Sequence, residues 1–129
     1  MENVVTLDDI QPEEVPLKAG HHHGRIWWVF NPDTIGTEGL KIHVQEYDPG
    51  GYTADHPRHM DFEQAYYVIS GTMAVHISGK EYIAKAGSMV YIPRGAEHNH
   101  WNAGDDKLIF LTINAPVRSG EVPPLPRCG

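Results

Sequence analysis

Residues 87–102, GSMVYIPRGAEHNHWN, constrain the fold of this chain more than any other stretch. A short apolar run (Met89, Val90, Tyr91, Ile92) is broken by the turn sequence Pro93-Arg94-Gly95, and a second run returns at once carrying His98, His100 and Trp101. Side chains of an extended strand alternate between faces, so His98, His100 and Asn102 share one face. Two imidazoles aimed into one cavity suggest a metal ion.

The rest of the chain is punctuated in the same manner. Its 13 glycines and 10 prolines fall between short β-branched and aromatic runs, the pattern of an all-β domain, and no internal repeat or long helical period interrupts it. At 129 residues the chain makes one domain, long enough to bury ~65–70% of its unfolded surface. The net charge of -7, from 17 acidic and 10 basic residues, lacks the clustered Lys and Arg of a nucleic-acid partner. No apolar run approaches the ~18–20 residues that span a bilayer, and the start Met1-Glu2-Asn3 lacks the profile of a signal peptide. A cytoplasmic protein with no membrane partner is expected. The single cysteine, Cys128, excludes an internal disulfide.

Taken in order, residues 1–20 are acidic and proline-broken, fit for a loose arm or for an edge strand on another subunit. His21, His22 and His23 follow. Successive strand residues alternate faces and cannot all converge on one ion, so a solvated or inter-subunit role is expected for the triplet. Trp27 and Trp28, in the apolar run 26–30, point to opposite faces, one suited to the core and one to a subunit contact. Residues 40–47 alternate, with Leu40, Ile42, Val44 and Glu46 on one face and Lys41, His43, Gln45 and Tyr47 on the other. His43 either lines a pocket or belongs to an exposed polar face. Asp48-Pro49-Gly50-Gly51 reads as a turn. Further strands are expected over 65–69, 72–77, 81–84 and 108–114, with a hairpin turn at Ser78-Gly79-Lys80. Residues 115–129 are proline-rich and are expected either to wrap the surface as extended chain or to stay disordered.

Upstream of the first stretch the chain carries Gly50-x5-His56, His59-x4-Gln64 and Gln64-x6-Gly71. Downstream it carries Gly87-x5-Pro93-x-Gly95-x2-His98-x3-Asn102, which resembles the second signature motif of the cupin superfamily position for position. The upstream segment resembles the first motif with two departures. His56 and His59 are separated by Pro57 and Arg58 instead of by one residue, which requires a bulge or turn if both rings are to face one side. The carboxylate position holds Gln64. Glu63 stands one residue earlier and is the alternative ligand, although counting from Gly71 keeps Gln64 in register and turns Glu63 the other way.

The resemblance covers about residues 40–116 and is to small single-domain RmlC-like cupins. It implies a double-stranded β-helix, or jelly-roll, barrel over residues 25–116, with an arm at 1–24 and a tail at 117–129. It further implies one divalent transition metal ion (Zn, Fe, Mn, Ni, Co or Cu) held by His56, His59, Gln64 and His98. Three neutral imidazoles and a neutral amide leave the charge of such an ion uncompensated, which favours an anionic or enolisable oxygenated substrate. His100 and Tyr66 are the acid–base candidates by spacing, and a His100 that merely packs the barrel floor is the other reading. Tyr52, Phe62, Tyr91 and Trp101 are candidate aromatic walls, and Arg58 or Arg94 a candidate guide for a carboxylate. The expected function is Lewis-acid and proton-transfer chemistry of the isomerase, lyase or cyclase type. An Fe(II) or Cu dioxygenase and a non-catalytic small-molecule-binding cupin are the alternatives. The resemblance also implies a homodimer formed through N-terminal strands.

Overall fold

A computed structural model describes residues 2–14, 21–53 and 62–115. His56, Pro57, Arg58 and His59 lie outside the described residues, as do the end of the acidic arm and the proline-rich tail with Cys128.

Among the described residues nine strands follow one another: β1 (Glu13–Glu14), β2 (His21–Phe30), β3 (Lys41–Thr53), β4 (Glu63–Ser70), β5 (Thr72–Ile77), β6 (Lys80–Lys85), β7 (Met89–Ile92), β8 (His98–Asn102) and β9 (Leu108–Ala115). A three-residue 3-10 turn, Leu7–Asp9, is the only helical element among the described residues. The strands join in the order β6-β5-β8-β3-β9-β4-β7, with β2 added to β3 and β1 to β2. Every pairing is antiparallel. The sheet rolls into a nearly closed jelly-roll barrel.

Local chemistry sets the corners. Ser78 and Gly79 both have positive φ (48° and 86°), the geometry of a tight two-residue hairpin, and they bring Ile77 opposite Lys80. At residues 48–51 the structure differs from the expected turn. The chain does not reverse there. β3 runs on and changes partner, pairing with β9 from Lys41 to Tyr47 and with β8 at Tyr52, opposite Trp101. Gly50 takes φ 85°, and a Cβ on Gly51 would lie 2.6 Å from the His23 carbonyl oxygen and 2.7 Å from Tyr47 Cβ. The Pro-Gly-Gly signal therefore makes a bulge, which re-aims one long strand without ending it.

The first described part of the arm pairs with its own chain. Glu13 faces Ile26 and Glu14 faces Arg25, whose guanidinium reaches Glu14 (3.2 Å), Asp48 (3.3 Å) and Glu46.

Register zones the barrel interior. Along β9 the buried positions are Leu108, Phe110, Thr112 and Asn114. Leu108 lies opposite Tyr47, Phe110 opposite Gln45 and Val68, Thr112 opposite His43 and Tyr66, and Asn114 opposite Lys41 and Gln64. The apolar end merges with Met73, Val75, Ala84 and Ile92 into one core. The other end is polar. The face of β3 that reads as polar is thus the lumen face, and His43 is a cavity wall. Alternation shows that two faces differ; only closure of the sheet shows which one is inside.

Candidate metal centre

Gln64 is buried, at 7% exposure, on the lumen side of β4. Glu63 points the other way, where it accepts a hydrogen bond from the Tyr91 hydroxyl (2.5 Å) and pairs with Arg94 (3.9 Å). Arg94, a candidate guide for a carboxylate, is engaged by this outer carboxylate.

His98 and His100 are both 2% exposed, on the inner face of β8, about 7 Å apart along the strand from its rise per residue. The turn before β8, closed by the Ala96 N–H on the Pro93 carbonyl, sets the Ala96 carbonyl 3.0 Å from His98 Nδ1. Nδ1 accordingly carries the proton and donates it, and Nε2 keeps the lone pair, the tautomer in which a ligating histidine is held. Burial lowers the His98 pKa, with the carbonyl bond opposing in part, so the ring is neutral, as ligation requires.

Thr53 performs the same task for His100. Its hydroxyl donates to the His100 carbonyl (3.2 Å), accepts the His100 backbone N–H (3.0 Å) and stands 3.3 Å from Nδ1. With its only proton given to the carbonyl, Oγ1 accepts from Nδ1–H, and the lone pair of His100 is again on Nε2. The ring stacks on Tyr66 (centroids 5.2 Å, 16°) and meets the edge of Phe110 at 5.2 Å. The Tyr66 hydroxyl donates to Gln64 Oε1 at 3.3 Å. Burial lifts the Tyr66 phenol well above its usual range, which keeps it a proton donor at neutral pH. Gln64, Tyr66 and His100 thus form one contiguous group, with His98 two residues along from His100.

Sequence reasoning missed His21. It is 8% exposed, not solvated, and its Nδ1 lies 2.8 Å from the Gln45 amide nitrogen and 2.9 Å from the Tyr47 hydroxyl. An amide nitrogen can only donate, so Nδ1 accepts and the His21 proton resides on Nε2. The cause is a bulge. His23 has φ 58°, and the pairing of β2 with β3 slips between His22 and Gly24. Strict alternation back from Ile26 would turn His22 inward; the positive φ of His23, opposite the bulged residues 48–51 of β3, breaks that alternation, so His21 is buried instead and His22 stacks outside on Tyr52 (4.7 Å). Gly24, directly after the triplet, was the one available sign of an irregular strand.

His21, Gln45, Gln64, Tyr66 and His100 line a cavity of about 250 Å³; His98, opposite Ile77 on β5, is not among its lining residues. Of the four aromatic walls expected, Phe62 lines it. Tyr52 and Tyr91 are exposed on the outer surface, and Trp101 is half-buried outside the cavity lining. Trp28 and Phe30 of β2 supply the missing walls. No Asp or Glu lines the cavity among the described residues, and Lys41 at the rim is the one Lys or Arg that does. No three His, Cys, Asp or Glu side chains gather as a metal site among the described residues. The other two expected ligands, His56 and His59, are not among them. Of the expected ligands that are described, Gln64 lines the cavity and His98 stands two residues along β8 from the cavity-lining His100; by donor type, a neutral imidazole and an amide oxygen suit a divalent transition metal.

No helix among the described residues is long and apolar enough to cross a membrane. An oxalate-binding protein of Thermotoga maritima is 24% identical over 111 residues, which cover 85% of this chain and 91% of that protein. In structure the chain is similar to a T. maritima protein described as a predicted oxalate decarboxylase, with a TM-score of 0.79 and 23% identity over 88% of this chain and 99% of that one. It is also similar to a polyketide cyclase from Streptomyces resistomycificus, with a TM-score of 0.75 and 22% identity over 92% of this chain and 82% of the other. At these identities the structural likeness speaks for the fold. A family model described as a cupin domain matches residues 43–114, from within β3 to within β9 and more than half of the chain, and this chain therefore belongs to the cupin family.

Proposed function

We propose that this cupin is a metal-dependent enzyme that acts on a small oxygenated anionic or enolisable substrate by proton transfer, of isomerase, lyase or cyclase type. The observation that carries the reading is a cavity lined by His21, Gln64, Tyr66 and His100, with no carboxylate among its described lining residues. His56, His59, Gln64 and His98 would hold one divalent transition ion, and with Glu63 turned outward none of these four ligands neutralises it. When bound, the ion supplies Lewis-acid polarisation of a substrate oxygen. The similar protein named for oxalate binding supports an oxygenated anion as ligand.

The chain's own groups divide the proton work. His100, with Nδ1–H tied to Thr53, offers Nε2 as a base. Tyr66, kept protonated by burial, offers a hydroxyl. Gln45 and Tyr47 hold His21 as its Nε2–H tautomer, a donor across from His100 at a ring separation of 6.2 Å. Such opposed environments are how one site presents acid and base together.

Two measurements test the reading. Elemental analysis should find one divalent transition ion per chain. The loaded protein should exchange solvent deuterium into the acidic C–H of an enolisable keto acid, with no uptake of oxygen and with a redox-inert ion sufficing. Oxygen consumption would select the Fe(II) or Cu dioxygenase instead, and a protein that binds anions but catalyses no exchange would be a non-catalytic binder.

A further inference from the structure

The cavity is larger and more aromatic than a small dianion requires. A second hollow of about 200 Å³ adjoins it, sharing Lys41, Phe62 and Asn114 with the first. Sequence register explains the arrangement. Trp28 pairs with His43 and Phe30 with Ile42, which sets two rings of β2 beside the rim end of β3, and Phe62, just before β4, lines the same cavity. Trp28 is fixed there from two directions. Its indole N–H donates to Glu13 on β1 (2.7 Å), and its ring meets His43 at 5.2 Å. The Lys41 ammonium sits over the Phe62 ring, 5.8 Å from the centroid. The floor below is hydrogen-bonding, and the walls above are flat and apolar.

Resting on the metal-dependent reading above, we propose that the substrate is a flat aromatic oxygen acid, of the hydroxyaryl carboxylate or aryl enolate class, and not a two-carbon dianion such as oxalate. Its oxygenated head meets His21, Gln64 and His100, and its ring system lies between Trp28 and Phe62, with Lys41 at the rim complementing its negative charge. Oxalate has no apolar surface to set against these rings and would leave them facing water. Pockets that bind such molecules combine apolar walls with a few convergent polar groups, which is the composition found.

Isothermal titration calorimetry on the full chain loaded with zinc tests this, with 1-hydroxy-2-naphthoate and oxalate as probes and metal content measured on the same samples. The naphthoate should bind at least 100-fold more tightly than oxalate. Trp28→Ala and Phe62→Ala should each weaken it about tenfold while zinc content stays at one per chain and the far-UV spectrum stays native, as expected for the loss of one aromatic contact. Because Trp28→Ala also releases β1, Phe62→Ala is the variant to rely on if the first unfolds. Oxalate binding as tightly as the naphthoate, or unchanged naphthoate affinity in a folded Phe62→Ala protein, overturns the proposal and leaves the metal reading standing. A wild-type chain that takes up no zinc overturns the metal reading, and this proposal with it.

Discussion

His98 shows how much one backbone carbonyl can decide. The Ala96 oxygen fixes the tautomer, and burial keeps the ring neutral. His98→Ala should abolish stoichiometric metal with an unchanged far-UV spectrum, whereas His100→Ala should keep the metal and lose about 10²–10⁴-fold in proton exchange, the usual contribution of a general base. The direction of the His98 shift also has a sign in stability. Its folded pKa lies below the ordinary value, so the unfolded chain takes up the proton more readily. The contribution is full above about pH 6.5, the unperturbed value, and is lost as pH falls through the folded value. Thermal midpoints of metal-free protein at pH 7.5 and 5.5 should show that loss, and His98→Asn should reduce it. Reading single residues from sequence worked along the first part of β4: burial alternates from Gln64 to Val68, with Gln64 inward and Glu63 facing Tyr91 and Arg94, although the pairing with β9 shifts just beyond, between Val68 and Ser70. It failed at His21, because a bulge with a non-glycine residue at positive φ leaves almost no mark in the composition.

Strands β2 and β3 carry the largest difference between expectation and structure. Pro-Gly-Gly ordinarily marks a reversal, and here it marks the point where β3 leaves β9 for β8. The same glycines allow close approach. A Cβ on Gly24 would stand 2.1 Å from the Glu46 carbonyl oxygen, and one on Gly51 would stand 2.6 Å from that of His23. Both contacts are with backbone, which cannot swing aside. Gly24→Ala and Gly51→Ala should each lower unfolding free energy by about 1–3 kcal/mol, the range for overpacking, as measured by urea titration. By contrast Gly79→Ala, which meets nothing within 4 Å, should pay only for its positive φ. The hairpin β5–β6 was legible because its turn chemistry is local; the partner switch in β3 was not, because it depends on which strands flank it.

Taken whole, the lumen side of β9 passes from apolar to polar along one strand. Leu108 and Phe110 make the apolar part and Thr112 and Asn114 the polar part. That gradient was present in the sequence, but a gradient has no meaning until the sheet closes and gives it an inside. The proposed ligands come from separate parts of the chain: Gln64 on β4, His98 on β8, and His56 and His59 in the segment between β3 and β4. An ion joining them should raise stability by mass action, by about 2.7 kcal/mol at one hundred times its dissociation constant. Chelation should reverse the gain, and calorimetric melting with and without chelator checks it.

Anomalous diffraction from crystals grown with cobalt or zinc tests the central assignment most directly. The account predicts one strong peak inside the barrel, within about 2.0–2.2 Å of His98 Nε2 and of the Gln64 amide oxygen, with histidine nitrogens from residues 56 and 59 completing the set. A peak bound by Glu63 on the outer surface, or a barrel interior without a peak in crystals grown at saturating metal, would contradict it.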